Sequence, residues 1–240
     1  MKMFLVVLLA CVAPAASGQP AVPGEAPENP PFKEAQVLPA DEAAHQPDFL
    51  EFRKQLIAAV AKRDRASLIE HLADDVSNEL AGVLGLPEFI SFYGLTGKTD
   101  TGHDESFIWE ELKEILALGG TFRDGAFHAP YLTTQFPDEF DAFEFAVITG
   151  KDVNVRQGPG TNTRVVAKKS YTIVRVLDWG DSPEATLSAG EKTYGWVRVG
   201  LPTGETGYVY GKYVRSPIAC RAIFQKRGGA WKLAIFVCGD

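Results

Sequence analysis

The sequence has little positive charge and lacks the motifs of common enzymes. Lys and Arg number 24 against 31 Asp and Glu, which gives a formal net charge of −7. This balance argues against a nucleic-acid-binding protein, which needs a basic patch. The sequence has no Gly-x-Ser-x-Gly nucleophile elbow, and Gly158-Pro-Gly160 lacks the lysine and the strand–helix context of a phosphate-binding loop. These absences predict a protein that is not an enzyme and uses no cofactor.

Histidine is also scarce, and the four histidines do not have the spacing of metal ligands. His71 with Asp74 and Asp75 could bind a cation at the end of a helix. A solvated acidic helix end explains the same three residues without a ligand. We therefore expect no metal site.

Cysteine is limited to three residues, whose positions fit an exported protein. Cys220 and Cys238 flank two strand-like segments around Gly228-Gly229, which predicts a β-hairpin. Pairing around that turn brings the two cysteines within one residue of register. In an oxidising compartment they are expected to form a disulfide.

Residues 1–18 have the pattern of a secretory signal peptide. Lys2 precedes the apolar run from Phe4 to Ala13, and small residues follow it. The run is too short to span a membrane. An alternative uses Cys11 as a lipoprotein cleavage site. We expect the mature protein to have no transmembrane span and to be periplasmic or secreted.

Proline is concentrated in residues 19–47, which hold seven prolines. This composition predicts a disordered linker. Apolar residues then recur at helical spacing from Asp48 to Gly120, which predicts four helices. In the fourth helix, Glu110, Glu111 and Glu114 could act as catalytic carboxylates. Apolar neighbours define the buried side of that helix, so a solvated charged face is the expected arrangement.

Short strands separated by turn residues occupy residues 146–217, which predicts a small closed barrel. Ordered motifs in this range resemble the bacterial Src-homology-3-type (SH3b) domain: Val153-Asn-Val-Arg, Gly158-Pro159, Gly195-Trp-Val-Arg-Val, Gly207-Tyr-Val and Lys212-Tyr-Val. The segment from Asp178 to Tyr194 is longer than the turn in that pattern and predicts a loop insertion. The resemblance implies a module of envelope proteins that binds peptidoglycan or peptides, not a catalyst.

Aromatic residues of the predicted barrel supply the candidate ligand contacts. Strand alternation sends some of them outward, where rigid amphipathic rings suit sugars and peptides. Trp196, between glycine and valine, is expected to be a core residue. Arg156 is either a ligand anchor or a structural partner for a turn carbonyl. The candidate ligand-binding residues are Trp179, Tyr194, Tyr208, Tyr210 and Arg156.

The final hairpin, within residues 218–240, is too small to fold alone. We expect it to complete the α-rich domain of residues 48–145, with the barrel inserted between them. The start of this domain, from Phe49, and its end, Gly229-x-Trp231-Lys-Leu, weakly resemble cystatin-like, nuclear-transport-factor-2-like domains. The predicted fold class is therefore α+β, a helix-rich domain completed by a C-terminal hairpin with an inserted SH3-like barrel.

Two functions fit these patterns. The first is a non-catalytic exported envelope protein whose barrel binds peptidoglycan or a segment of an envelope protein. The alternative places the function in residues 48–145 and the final hairpin, which would enclose a small ligand or form an undescribed hydrolase. The many aromatic residues of 121–145 motivate this alternative.

The predicted disulfide can be checked chemically. Because both remaining thiols are expected to be oxidised, protein that begins at Gln19 should give no reaction with a thiol reagent when denatured without reductant. Prior reduction should expose both Cys220 and Cys238. Two reactive thiols in the unreduced sample would refute the bond.

Overall fold

A computed structural model describes residues 28–78, 80, 82–97, 105–180, 187–189 and 192–239. The predicted signal peptide of 1–18 and the first part of the predicted linker, 19–27, lie outside this range. The protein is a mixed α+β structure with two large sheets and one two-stranded ribbon. Within the described ranges, no helix combines the length and the apolar character needed to cross a membrane.

The first large sheet has six strands in the order β2-β1-β15-β14-β4-β3. Its strands are β1 (Leu72–Asn78), β2 (Val83–Leu84), β3 (Thr121–Arg123), β4 (Ala126–Ala129), β14 (Arg221–Arg227) and β15 (Ala230–Val237). The helices that accompany it are α1 (Pro47–Lys62), α2 (Arg65–His71), α3 (Leu86–Phe92) and α4 (Glu105–Ala117).

The C-terminal hairpin forms the centre of this sheet. β14 and β15 pair antiparallel around Gly228 and Gly229, whose φ angles of 58° and 87° suit a tight hairpin turn. β15 also runs parallel to β1, and β14 runs antiparallel to β4. The disulfide prediction is confirmed, since the sulfur atoms of Cys220 and Cys238 lie 2.06 Å apart at the open end of the hairpin.

Helix α1 is fastened to the hairpin through aromatic packing and one carboxylate. The ring of Phe49 lies 4.3 Å from that of Phe127 and 4.9 Å from that of Trp231, between centroids. Asp48 lies in the first turn of this helix, which begins at Pro47, a residue that suits that position. The Asp48 carboxylate accepts a hydrogen bond from Trp231 Nε1 at 3.1 Å and pairs with Lys226.

The second large sheet has seven strands in the order β13-β5-β8-β11-β12-β6-β7. They are β5 (Phe145–Ile148), β6 (Val153–Arg156), β7 (Val165–Lys169), β8 (Ile173–Asp178), β11 (Trp196–Gly200), β12 (Thr206–Tyr210) and β13 (Val214–Arg215). The sequence predicted a closed barrel, but the observed sheet is open. Among the described residues, no pairing joins the edge strands β13 and β7. The predicted loop insertion contains an antiparallel ribbon of β9 (Leu187–Ala189) and β10 (Lys192–Tyr194). Between β4 and β5 lies the short helix α5 (Leu132–Gln135).

Residues 28–46, here called the strap, correct the prediction of a disordered linker. Val37 donates its backbone N–H to the carbonyl of Tyr171 at 2.8 Å, and Ile173 donates to Ala35 at 2.9 Å. Further along, Glu42 donates its N–H to Gly120 at 2.9 Å. The strap therefore contacts the seven-stranded sheet near β8 and the six-stranded sheet near β3. Proline does not prevent this order, because proline fits extended backbone, and the strap also contains the apolar residues Phe32 and Val37.

A third cluster of buried side chains joins the strap to the region between the sheets. It contains Val37, Tyr131, Leu132, Phe140, Phe145, Val147 and Ile173. The ring of Phe145 lies 5.0 Å from that of Phe32 and 5.2 Å from that of Phe140. Tyr131, Phe140 and Phe145, three of the aromatic residues of 121–145, therefore pack in this core.

The strap makes a stability prediction with a built-in control. Val37 is 2% exposed, whereas its neighbour Leu38 is 59% exposed. Val37→Ala should lower the free energy of unfolding by about 2 kcal/mol, through lost apolar burial and a small cavity. Leu38→Ala should change it by less than about 0.5 kcal/mol. Urea denaturation measures both, and equal small effects would mean that the strap contributes nothing to folding.

Candidate functional site

Four aromatic residues meet at Tyr210 of β12; we call Tyr194, Trp196, Tyr210 and Tyr213 the aromatic cluster. Trp196 belongs to β11, Tyr194 to the β9–β10 ribbon, and Tyr213 lies between β12 and β13. The Tyr210 ring centroid lies 5.7 Å from that of Tyr194, 5.8 Å from that of Trp196 and 6.0 Å from that of Tyr213. These spacings are in the range of favourable ring–ring contact. The cluster forms a continuous aromatic surface built from separate segments of the chain.

Strand register explains how the cluster forms. Trp196 in β11 lies directly opposite Tyr210 in β12. Val197 and Val209 are buried in the core of the sheet, so alternation places Trp196 and Tyr210 on its other face. Trp196 is 5% exposed, which agrees with the expected burial, but it packs beside Tyr210 and outside that core cluster.

Two glycines bring the inserted segment against the cluster. Gly180 has φ +71°, and a Cβ there would come within 2.2 Å of the Trp196 carbonyl oxygen. A Cβ on Gly195 would come equally close to the Gly180 carbonyl oxygen. Only glycine therefore permits this contact between backbones. The contact holds Trp179, which precedes Gly180, beside Tyr194.

A cleft of about 470 Å³ lies between helix α4 and the seven-stranded sheet; we call it the interlayer cleft. Its wall on this side includes Glu111 and Glu114 of α4 and Leu118, which follows the helix. The remaining lining residues are Ala117, Thr149, Trp179, Thr193, Tyr194, Gly195, Val197, Gly211, Lys212, Val214, Arg215, Ala219 and Cys220. Its size is typical of ligand pockets, and it brings two predicted residues, Trp179 and Tyr194, to one site.

A charged network forms the floor of the interlayer cleft. The Arg215 side chain is nine-tenths buried, and its Nη1 lies 3.3 Å from Glu114 Oε2. Its Nη2 lies 3.8 Å from Glu111 Oε2 and donates to the Cys220 carbonyl at 2.6 Å. The Tyr194 hydroxyl donates to Glu114 Oε1. Burial first, and then this bond to a carboxylate, raises the pKa of Tyr194 above its usual value.

The network corrects the prediction of a solvated carboxylate face on α4. Glu111 is only 9% exposed, and Glu114 faces Arg215 and Tyr194. Glu110 pairs with Arg63 at 3.1 Å and with Lys113 at 3.6 Å. Arg215 and Tyr194 contact a second side of α4, apart from the side that packs into the first core, so this helix is buried on two sides. The spacing of apolar residues along α4 predicts only the side that packs into the first core.

A second concave region of about 300 Å³ lies on the other side of the aromatic cluster; we call it the sheet groove. Its lining residues are Gly150, Lys151, Asp152, Val153, Asn154, Arg156, Thr161, Trp196, Tyr210 and Tyr213. Arg156 Nη1 donates to the Thr163 carbonyl at 2.6 Å, which is the structural role weighed for it. Its side chain therefore stiffens one edge of the groove and the turn behind it.

The predicted residues divide between the two concave regions. Trp179 and Tyr194 line the interlayer cleft, and Tyr210 and Arg156 line the sheet groove. Tyr208 lies opposite Arg156 on the same face, outside both sets of lining residues. The sequence interpretation missed Trp196 and Arg215 as site residues. Alternation of Trp196 with Val197 could have identified one of them, whereas no local pattern identifies Arg215.

The structure does not assemble the cation site that was considered for His71, Asp74 and Asp75. His71 Nδ1 lies 2.6 Å from the Ser67 carbonyl, and Asp75 pairs with Arg227 at 3.0 Å. Over the residues that the structure describes, no group of three or more His, Cys, Asp or Glu side chains is arranged to hold a metal ion.

The Tyr194–Glu114 contact can be tested through stability and its pH dependence. Tyr194→Phe should lower the free energy of unfolding by roughly 1–2 kcal/mol near neutral pH, through the lost bond to a charged acceptor. Tyr208→Phe is a matched control and should change it by less than about 0.5 kcal/mol.

The sign of the pH effect follows from the raised pKa of Tyr194. The folded protein holds this proton more tightly than the unfolded chain does, so the contribution is complete below about pH 10 and declines above it. Wild type should therefore lose more stability than Tyr194→Phe when urea denaturation is repeated near pH 11. Equal losses in the two proteins would contradict the contact.

No known protein family, curated protein or solved structure matches the chain. The function proposed below therefore rests on the residues and contacts given above.

Proposed function

We propose that the protein is a non-catalytic, exported cell-envelope protein that binds peptidoglycan or a segment of an envelope protein on its seven-stranded sheet. The observation that carries this proposal is the aromatic cluster, in which three rings each pack against Tyr210 between two concave regions. Rings held by their neighbours lose little conformational entropy when a ligand binds.

The chemistry around the cluster supports a ligand with both apolar and polar groups. Aromatic faces contact the apolar faces of sugars or peptide side chains. Lys151 and Asp152 in the sheet groove, and Lys212 in the interlayer cleft, offer polar contacts of both signs. A ligand that lies across Tyr210 would reach both regions. Peptidoglycan, with its alternating sugars and short charged peptides, has this mixture of groups.

The charged network supports binding over catalysis. Glu114 accepts from Tyr194 and faces Arg215, and Arg215 also donates to a backbone carbonyl. These groups hold one another in place across the interlayer cleft. We infer that they position the wall of the site, and that they do not transfer protons to a ligand.

Two further features support export and the SH3-type assignment. The Cys220–Cys238 disulfide is compatible with an extracellular location, and the N-terminal pattern of residues 1–18 agrees with secretion. The motif order of residues 146–217 coincides with seven paired strands, although the pairing does not close. The SH3-type resemblance therefore contributes the expectation of a binding module, and the aromatic cluster contributes the location.

A pulldown on purified peptidoglycan sacculi tests the proposal with protein that begins at Gln19. Wild type should sediment with the sacculi at low salt. Tyr213→Ala, which removes a 39% exposed ring of the cluster, should weaken retention about tenfold, as expected for loss of a central aromatic contact. Phe143→Ala is the matched control, because Phe143 is a 69% exposed ring outside both concave regions.

Two results would contradict the proposal in different ways. If folded wild type does not sediment, peptidoglycan is not the ligand, and an envelope protein segment becomes the expected partner. If wild type and Tyr213→Ala are retained equally, the aromatic cluster is not the binding surface. Circular dichroism of each variant establishes that it is folded.

A further inference from the structure

The sheet groove is positively charged on a protein that is acidic overall. The chain has a formal net charge of −7. Three charged residues line the groove, the basic Lys151 and Arg156 and the acidic Asp152. Lys151 and Asp152 are exposed, whereas Arg156 is bound to a turn carbonyl. The groove therefore differs in the sign of its charge from the protein as a whole.

The interlayer cleft also contains one exposed cation. Its lining is neutral as a whole, with Glu111 and Glu114 balanced by Lys212 and Arg215. Both carboxylates face Arg215 on the floor of the cleft. Lys212 is exposed and takes no part in that network. Lys212 is therefore the charged residue of this cleft that can meet a ligand.

Lys151 and Lys212 lie beside the same ring of the aromatic cluster. Lys212 directly precedes Tyr213 in a short 3-10 helix. Thr149 donates its backbone N–H to the Tyr213 carbonyl at 2.9 Å, and a Cβ on Gly150 would lie 3.2 Å from Cδ1 of the Tyr213 ring. The backbone that leads into Lys151 is therefore held against Tyr213. The two lysines belong to the two concave regions that meet at this exposed ring.

A third lysine extends the positive surface to the edge of the sheet. Lys168 of β7 lies directly opposite Asn154 of β6, and Asn154 lines the sheet groove. Val155 is buried in the core of the sheet, so alternation places Asn154 and Lys168 on the outer face, together with Tyr210. Lys168 is exposed on that face.

We call Lys151, Lys168 and Lys212 the lysine rim. None of the three makes a hydrogen bond or an ion pair with any residue that the structure describes. A single unpaired surface lysine is ordinary. Three of them around one aromatic surface of an acidic protein produce a local positive potential, which favours a negatively charged group on the ligand.

We propose that the aromatic cluster recognises the peptide stems of peptidoglycan, and not its glycan strands, through stem carboxylates that bind at the lysine rim. This inference rests on the proposed function. Glycan strands present hydroxyl and amide groups without charge, whereas the peptide stems carry free carboxylates. The stem contacts the rings of the cluster, and its carboxylates accept hydrogen bonds from the lysine ammonium groups.

Sedimentation with chemically modified sacculi tests the assignment on protein that begins at Gln19. Carbodiimide and ammonium convert the stem carboxylates into amides, and mock-treated sacculi are the reference. Wild-type retention should fall about tenfold on the amidated sacculi. Overall charge predicts the opposite result, because an acidic protein should bind more strongly once the sacculi lose negative charge.

Neutral variants of the lysine rim give a second readout. Lys151→Gln and Lys212→Gln should each weaken retention on mock-treated sacculi about threefold, as expected for exposed ion pairs, and the double variant about tenfold. Lys54→Gln is the matched control, since Lys54 is exposed on α1 outside both concave regions. On amidated sacculi the double variant and wild type should be retained equally within about twofold, because the shared partner is gone.

The possible failures separate this inference from the proposed function. If wild type sediments equally well with mock-treated and amidated sacculi, the proposed function stands and carboxylate recognition is refuted. Retention that survives amidation but is lost after hydrogen fluoride removes phosphodiester polymers would assign the anion to phosphate. Rim variants that behave like Lys54→Gln would refute the role of the lysine rim. If folded wild type fails to sediment with mock-treated sacculi, both proposals fail together.

Discussion

The pairing of the C-terminal hairpin between β1 and β4 is the constraint on which the rest of the structure depends. Without β14 and β15, nothing would link β1 to β4, and the six-stranded sheet would have no centre. The chain leaves this sheet after β4 and must return to it at Arg221. The intervening seven-stranded sheet is therefore held at both ends. The Cys220–Cys238 disulfide lies at the returning end, beside the carbonyl that accepts from Arg215.

Because the chain returns to the six-stranded sheet in this way, helix α4 lies at the boundary between the six-stranded and the seven-stranded sheets. One side of the helix packs into the first core through Ile108, Leu112 and Ile115. Another side presents Glu111 and Glu114 to Arg215, which immediately precedes the return to the first sheet. Charges this well buried are favourable only when partners are held in position. The ends of the inserted sheet supply that fixed position, so the interlayer cleft is a consequence of how the chain returns.

Local patterns in the sequence predicted the features that local interactions decide. The Gly228-Gly229 turn and its flanking strands specify the hairpin, and the hairpin register brings the two cysteines together. The strap was not predictable, because Val37 is bonded to Tyr171, more than a hundred residues away, and proline-rich composition masks its apolar positions. Burial of Glu111 has the same cause: its partner, Arg215, is distant in sequence. Non-local contacts therefore account for most of the differences between the predicted and the observed structure, including the open edge strands.

The residues of the candidate site show the same contrast between what local patterns predict and what non-local contacts decide. Alternation along β12 was enough to place Tyr210 on an outer face, but not to show that Tyr194, Trp196 and Tyr213 surround it. Those contacts need the backbone approach at Gly180 and Gly195, which no periodicity reveals. The same approach fixes Trp179 beside the interlayer cleft. Because glycine contacts, ring packing and the Arg215 network all restrict the same surface, it is ordered before any ligand arrives. Such preorganisation would reduce the entropy lost in the binding that we propose for this surface.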